Sequence, residues 1–263
     1  MKNYRVPTLT IAGSDSSGGA GIQADLKTFS AIGTYGMSVI TAITAQNTEG
    51  VFDVEELSSE IIKSQIKAVC EDIPPKAIKI GMVSSPKIIK DIVESLEIYP
   101  CEYVVVDPVM ISKSGYSLLR PEAKENLIKY LIPKAYIVTP NVPEAEEISS
   151  IKIETVEDMK KAGQIILNLG PKYVLMKGGH LNGDCVDILI GKDLFEVFEG
   201  ERIDRKNTHG TGCTISSAIT SHLALGYDIK EAVRLSKEYI TEAIRHSFDI
   251  GKGVGPVHHF YKF

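Results

Sequence analysis

Apolar and polar positions along this chain follow two alternating periods. Short, β-branched-rich apolar runs at Leu9–Ala12, Val39–Ala42, Ala77–Ile80, Tyr103–Val106, Tyr136–Thr139 and Tyr173–Met176 read as buried strands. Between them lie stretches with helical spacing. In Ser59–Ile73 the apolar Ile62, Ile66, Val69 and Ile73 form one stripe, while Lys63, Lys67 and Glu71 fall elsewhere. Runs that are apolar throughout, separated by amphipathic helices, predict an α/β class with a mostly parallel central sheet flanked by helices. Thr155 with Asp158, and Asp228 with Glu231, each place a cap three residues before an acid and predict two helix starts. Around residues 185 to 203 the pattern changes to Asp187–Ile190 and Leu194–Phe198 about a Gly191–Asp193 turn, which predicts a small antiparallel hairpin at a sheet edge. No repeat or long linker interrupts the pattern.

Composition narrows the class of partner. With 263 residues, 43% of them hydrophobic, the chain can bury one large core, so a single domain over residues 1–263 is expected. A formal net charge of −5 provides no basic field for nucleic acid. The first apolar run is too brief for a signal peptide or a membrane span, so a cytoplasmic protein acting on a small molecule is expected. The four cysteines form no Cys-x-x-Cys pair, which signals neither a zinc site nor a disulfide framework. Cys70, Cys101 and Cys185 sit in or beside predicted elements and read as structural.

Cys213 stands apart because it opens a helix. The segment Asn207-Thr-His-Gly210-Thr-Gly212-Cys213 is a glycine-rich turn leading into an apolar helical run. Such a turn aims N–H groups and the positive end of the helix dipole at one point, which stabilises an anion there. A thiol in that first turn is expected to ionise more readily than usual, which makes Cys213 a candidate base. A second glycine-rich turn, Gly13 to Gly21, follows the first strand and precedes the predicted helix Ile22–Ile32. It contains Gly19-x-Gly21-x-x-Ala24, a variant of the dinucleotide fingerprint, but no acid lies about 20 residues further on and the spacing from the strand is poor.

The ordered motifs Thr10 to Phe29, Thr44-Ala-Gln-Asn-Thr48, Lys79-Ile-Gly-Met82, Val106-Asp-Pro-Val-Met110, Thr139-Pro-Asn141, Lys177-Gly-Gly-His180, Gly210-Thr-Gly-Cys213 and Gly253-Val-Gly-Pro-Val257 carry a resemblance. Together they resemble the hydroxymethylpyrimidine/phosphomethylpyrimidine kinases of thiamine biosynthesis, within the ribokinase-like superfamily. That resemblance implies a three-layer fold. It also implies ATP-dependent phosphorylation of 4-amino-5-hydroxymethyl-2-methylpyrimidine to its monophosphate and then to the diphosphate, with Mg2+, as a homodimer. A potassium requirement stays open.

Carried onto this sequence, the resemblance places the pyrimidine against Gly13, Asp25, Gln46, Met82, Val109 and Cys213. The Gln46 amide offers both an acceptor and donors, which suits the amine and ring nitrogen of an aminopyrimidine edge. Met82 and Val109 would cover the ring faces. Asn141, Lys177, Thr208 and Thr211 are expected to bind ATP, with Lys177 acting as a point charge on the triphosphate. Asp107 and Glu144, both after strand ends, are expected to organise Mg2+, which needs only one or two carboxylates. Gly210, Gly212 and Cys213 form the catalytic turn. Many sugar kinases of the superfamily have Asp where Cys213 stands, which leaves the thiol's role as base open. His180 and His209 have no metal-ligand spacing. The rival reading is a pyridoxal or pyridoxine kinase of the same lineage, which Gln46 disfavours. A non-catalytic pyrimidine-binding protein is a further alternative, and the triphosphate residues argue against it.

Overall fold

Alternation inside the strands decides the layers. In the computed structural model, which describes residues 5–110, 121–179, 185–201 and 203–263, Val104 and Val106 point into one core and Val105 into another. Val138, Val174 and Met176 join the first core, while Ile137 and Leu175 join the second. A sheet whose strands are apolar on both faces must be covered on both, and it is.

The described strands are β1 (Pro7–Asp15), β2 (Tyr35–Gln46), β3 (Val51–Glu56), β4 (Ala77–Ile80), β5 (Tyr103–Val106), β6 (Ile137–Val138), β7 (Tyr173–Lys177), β8 (Cys185–Gly191) and β9 (Leu194–Gly200). They form one 9-stranded sheet in the order β3-β2-β1-β4-β5-β6-β7-β8-β9. From β2 to β7 neighbours are parallel. The β8–β9 hairpin closes one edge antiparallel, as its pattern predicts. At the other edge β3 pairs antiparallel with β2. That strand escapes the apolar-run criterion because none of its residues is buried.

The described helices are α1 (Gly21–Ile32), α2 (Ser59–Asp72), α3 (Pro86–Ile98), α4 (Pro121–Asn126), α5 (Val142–Ser149), α6 (Val156–Leu167), α7 (Thr211–Ala224) and α8 (Ile229–Arg245). Ile62 and Ile66 of α2, Ile88, Ile89 and Ile92 of α3, and Met159 and Ile166 of α6 pack on the first face. Ile215, Ile219 and Leu223 of α7, with Val233 and Ile240 of α8, pack on the second. Burying a side chain as fully as Ile89 or Leu131 contributes roughly 1.5–3 kcal/mol relative to exposure. Both predicted caps form: Thr155 and Asp158 make a reciprocal capping box on α6, and Asp228 accepts from the Glu231 N–H on α8. No helix among the described residues is long and apolar enough to cross a membrane.

Candidate active site

The parallel strands β1, β2, β4, β5, β6 and β7 end on one side of the sheet, and the winding reverses at β1, which β2 flanks on one side and β4 on the other. Such a reversal leaves a crevice outside the carboxyl ends of the strands. Asp15 closes β1, Gln46 ends β2, Met82 and Asp107 follow β4 and β5, Asn141 follows β6, and Lys177 ends β7. The amino end of α7 arrives over the same edge. A Cβ added to Gly212 would lie 3.5 Å from Asp107 Oδ2 and 3.6 Å from Lys177 Nζ.

The turn before α7 is built by contact. Gly210, the α7 N-cap, has φ 78°, and a Cβ there would come within 1.9 Å of the Gly19 carbonyl oxygen. Only glycine allows the two glycine-rich turns to touch in this way. No side chain caps α7, so the start of this helix is available to an anion. Thr208 and Thr211 flank the turn, both half-buried, with a long hydrogen bond from the Thr211 N–H to the Thr208 carbonyl at 3.4 Å.

Below the turn lies a buried charge cluster. Lys177 Nζ donates to Asp107 Oδ1 at 3.0 Å, and Thr139 Oγ1 donates to the same oxygen at 3.1 Å. Asn141 caps α5 by accepting the Glu144 N–H at 2.9 Å, and Glu144 Oε2 accepts the Asn141 N–H at 2.9 Å. The Asn141 oxygen is thereby used in the fold, and its NH2 group is what it can offer a ligand. Burial pushes the Glu144 carboxyl up to about 7; the Lys177 charge opposes this and the Asp107 charge adds to it. Burial lowers the Lys177 ammonium, but Asp107 and Glu144 together leave it raised. Two buried carboxylates served by one ammonium present oxygen donors short of positive charge, which fits a hard divalent cation such as Mg2+. No cluster of three or more His, Cys, Asp or Glu suited to a metal exists among the described residues, so such an ion would draw its remaining ligands from water and phosphate.

On the β1–β2 side the structure brings Gly13 against Met82, with Gln46 at the end of β2. A Cβ on Gly13 would meet Met82 Cε at 2.6 Å, so the glycine makes room for the methionine. Met82 is itself fixed by Thr41, which donates to its carbonyl at 3.0 Å, and the Val109 N–H closes a tight turn onto the Asp107 carbonyl at 2.8 Å. The Gln46 amide is tethered, with its Oε1 3.1 Å from Thr44 Oγ1 and its Nε2 3.3 Å from His209 Nε2. His209 Nε2 also lies 2.9 Å from Asp15 Oδ2. Asp15 accepts as well from the N–H groups of Ser17, Gly19 and Ala20. Burial works against the Asp15 charge, but His209, Ser17 and Ala20 overcome it and hold the carboxyl down at about 2. Asp15 and His209 thus join the two glycine turns. Sequence reasoning gave neither a role, although Asp15 lies inside the first motif quoted for the resemblance and His209 immediately precedes the Gly210–Cys213 motif.

Two expectations change. Asp25 does not line an open surface: its carboxylate is fully buried, bonded to Lys79 Nζ at 3.0 and 2.9 Å, Thr10 Oγ1 at 2.6 Å and Ser217 Oγ at 2.6 Å. The Cys213 thiol is raised, not lowered. Burial drives it up to about 11, outweighing the Lys79 charge and the Gly21 N–H, while Asp25 and Asp107 push the same way as burial. Helix-terminus stabilisation is real but small beside desolvation. His180 lies outside the described residues.

Cavities of about 720 Å³ and 510 Å³ open elsewhere, one beside α8 and the C-terminus, the other outside the Gly18–Gly19 turn, and neither is lined by Cys213, Asp107 or Lys177.

A family model described as phosphomethylpyrimidine kinase matches residues 15–258. A hydroxymethylpyrimidine/phosphomethylpyrimidine kinase of Rhizobium meliloti is 49% identical over 259 residues, 97% of this chain and 97% of that protein. Among solved structures, phosphomethylpyrimidine kinase from Clostridium difficile aligns with TM-score 0.83 at 73% identity, over 91% of this chain and 99% of that one. Pyridoxal kinase from Staphylococcus aureus, solved with AMP-PCP and pyridoxal, aligns with TM-score 0.90 at 40% identity, over 97% of this chain and 94% of that one. A glycine-rich helix start over a lysine and two carboxylates, on a sheet shared with these kinases, agrees with the extent of those matches: the chain is a phosphotransferase of ribokinase-like fold and belongs to the phosphomethylpyrimidine kinase family.

Proposed function

We propose that this protein transfers the γ-phosphoryl group of ATP to the hydroxymethyl oxygen of 4-amino-5-hydroxymethyl-2-methylpyrimidine, and then phosphorylates the monophosphate to the diphosphate, in thiamine diphosphate biosynthesis. The observation that carries this reading is the position of Gly212 and Cys213, at the uncapped start of α7, directly over Lys177 and Asp107. Phosphoryl transfer needs positioning and charge stabilisation more than covalent chemistry. Lys177 holds the triphosphate, with Asn141, Thr208 and Thr211 binding its oxygens. The N–H groups of Gly210, Gly212 and Cys213 receive the charge that gathers on the transferred group. Glu144 and Asp107 would hold Mg2+, whose charge neutralises the phosphates when bound. Gly13, Met82, Val109 and Gln46 seat the ring with its hydroxymethyl arm toward Cys213, and Cys213 takes the hydroxyl proton. We take the chain to act as a single-domain cytoplasmic enzyme. For a homodimer contact we favour the β2–β3 edge, where Ile43 and Phe52 stand exposed at 51% and 67%.

The second reading is a pyridoxal kinase, favoured by the likeness to the Staphylococcus aureus enzyme. Gln46 separates the two, because a pyridine with a phenolic oxygen lacks the paired donor and acceptor of the aminopyrimidine edge. Coupled ATP consumption with the hydroxymethylpyrimidine, its monophosphate and pyridoxal side by side tests both. Both pyrimidines should be consumed faster than pyridoxal; a strong preference for pyridoxal would overturn the assignment.

A further inference from the structure

A lysine in the middle of a central strand is out of place. Lys79 lies on β4 between Ile78 and Ile80, which face the core under α2 and α3, so its own side chain turns to the opposite face, toward α1 and α7. It is fully buried, and so is the Asp25 carboxylate of α1 that it bonds through both oxygens. The space for it is built in: a Cβ on Gly81 would lie 2.5 Å from Lys79 Nζ. An ion pair this deep contributes little to stability that an apolar pair of the same volume would not. Its presence therefore calls for a chemical reason.

The network leads to Cys213. Ser217, which donates to Asp25 at 2.6 Å, sits four residues after Cys213 and therefore on the same face of α7, one turn deeper. Thr10 of β1 supplies the remaining bond to Asp25, at 2.6 Å. Asp25 thus has three partners, and Lys79 is anchored by a carboxylate that α7 itself holds in place. We propose that Lys79 is a positioning residue for the transfer: fixed by Asp25, it holds the negative charge of the Cys213 thiolate that takes the hydroxymethyl proton. In the step, the substrate O–H bond breaks as its oxygen bonds the γ-phosphorus, the bond from phosphorus to the ADP oxygen breaks, and the proton ends on Cys213 Sγ. Four charged groups act on the charge of that sulfur. Lys79 from β4 and Lys177 from β7 favour its ionised form, while Asp25 from α1 and Asp107 after β5 oppose it.

The consequence is an asymmetry between the two reactions of the proposed function, on which the kinetic part of this inference rests. The hydroxymethyl group must lose a proton, whereas the monophosphate already offers an ionised oxygen at neutral pH. Lys79 should therefore matter for the first phosphorylation far more than for the second.

The test uses the rate of Cys213 alkylation by iodoacetamide, read by peptide mass mapping between pH 7 and 9, which needs neither ATP nor pyrimidine. Below its midpoint a thiol reacts in proportion to its ionised fraction, so a one-unit change appears as about a tenfold change in rate. Lys79→Met, which leaves Asp25 unopposed, should slow Cys213 alkylation by about tenfold or more. Asp25→Asn, which leaves Lys79 unopposed, should accelerate it. Either single change strands a buried charge and endangers folding, so the paired variant Lys79→Met with Asp25→Asn is the safeguard. It should fold, and should alkylate more slowly than the parent but faster than Lys79→Met alone. In turnover, the paired variant should lose about tenfold more in kcat for the hydroxymethylpyrimidine than for its monophosphate. Alkylation unchanged in the paired variant, or equal losses in both phosphorylations, would reduce Lys79 to a fold residue. Shifted alkylation in a protein that phosphorylates neither pyrimidine would sink the pyrimidine assignment and leave the coupling of Lys79 to Cys213 standing.

Discussion

At the scale of single residues, Cys213 sits between opposing influences. Its backbone belongs to a turn made for anions, while its thiol is driven up to about 11 by burial. At neutral pH only the small ionised fraction of such a thiol can take the substrate proton, and that fraction grows as pH rises. Cys213→Ala should therefore lower kcat for the hydroxymethylpyrimidine by about a hundredfold to ten-thousandfold, the usual worth of a positioned base. The KM for ATP should hardly move, because Lys177 and the α7 N–H groups remain; steady-state kinetics with each substrate varied in turn checks both parts. Unchanged turnover would remove Cys213 from the chemistry. Why its titration escaped sequence reasoning is plain in physical terms. A helix start and a nearby cysteine are visible in the motif Gly210-Thr-Gly-Cys213, but the depth of the thiol beside Lys79 and Asp25 is a property of packing. The same holds for Asp25, whose place on the first turns of α1 is legible while the direction of its carboxylate is not.

At the scale of elements, the site depends on two glycine turns pressed together. The contact between Gly210 and the Gly19 carbonyl, the His209–Asp15 pair and the bonding of Asp15 to the Ser17, Gly19 and Ala20 N–H groups are one joint between β1 and α7. Gly210→Ala places a methyl group where 1.9 Å of space exists and forces a left-handed φ on alanine. The turn must move, and α7 with it. The expected outcome is loss of both phosphorylations by at least about a hundredfold with the far-ultraviolet spectrum retained, the cost of misplaced catalytic groups in a folded protein. Normal activity would show that the turn does not align the reaction. The strands at Ala77–Ile80 and Tyr103–Val106 and the starts of the two capped helices are readable to the residue because strong local signals coincide there: apolar runs bounded by breakers, and caps with an acid three residues on. The edge strand β3 is not, since the criterion that finds core strands is blind to one whose pairing with β2 is its main support. The joint between the two glycine turns spans 194 positions of sequence from Asp15 to His209, and no local pattern reports such a contact.

At the scale of the whole molecule, the buried titratable groups set how stability follows pH. His222 and His259, held neutral by burial, fall to about 4. The unfolded chain takes up protons on both below about pH 6.5, so the stability they confer is lost as pH falls from there toward 4. Glu144 runs the other way. Its folded value of about 7 exceeds the unfolded value of 4.5, so its contribution is present at low pH and is lost as pH rises between those values. Two histidines oppose one glutamate, and the metal-free protein should melt at lower temperature on acidification from pH 6.5 to 4. Glu144→Gln should steepen that fall, and its Tm relative to the parent should improve as pH rises from 5 to 8; parallel Tm curves for the two proteins would show that Glu144 does not titrate as described. Adding Mg2+ should raise the parent's Tm at pH 8 and not the variant's. The decisive measurement remains the reaction itself, followed by phosphorus-31 nuclear magnetic resonance with ATP, Mg2+ and 4-amino-5-hydroxymethyl-2-methylpyrimidine. The monophosphate signal should rise first and then give way to the diphosphate as ADP accumulates. ATP left intact beside the pyrimidine, while pyridoxal is phosphorylated under the same conditions, would contradict the assignment.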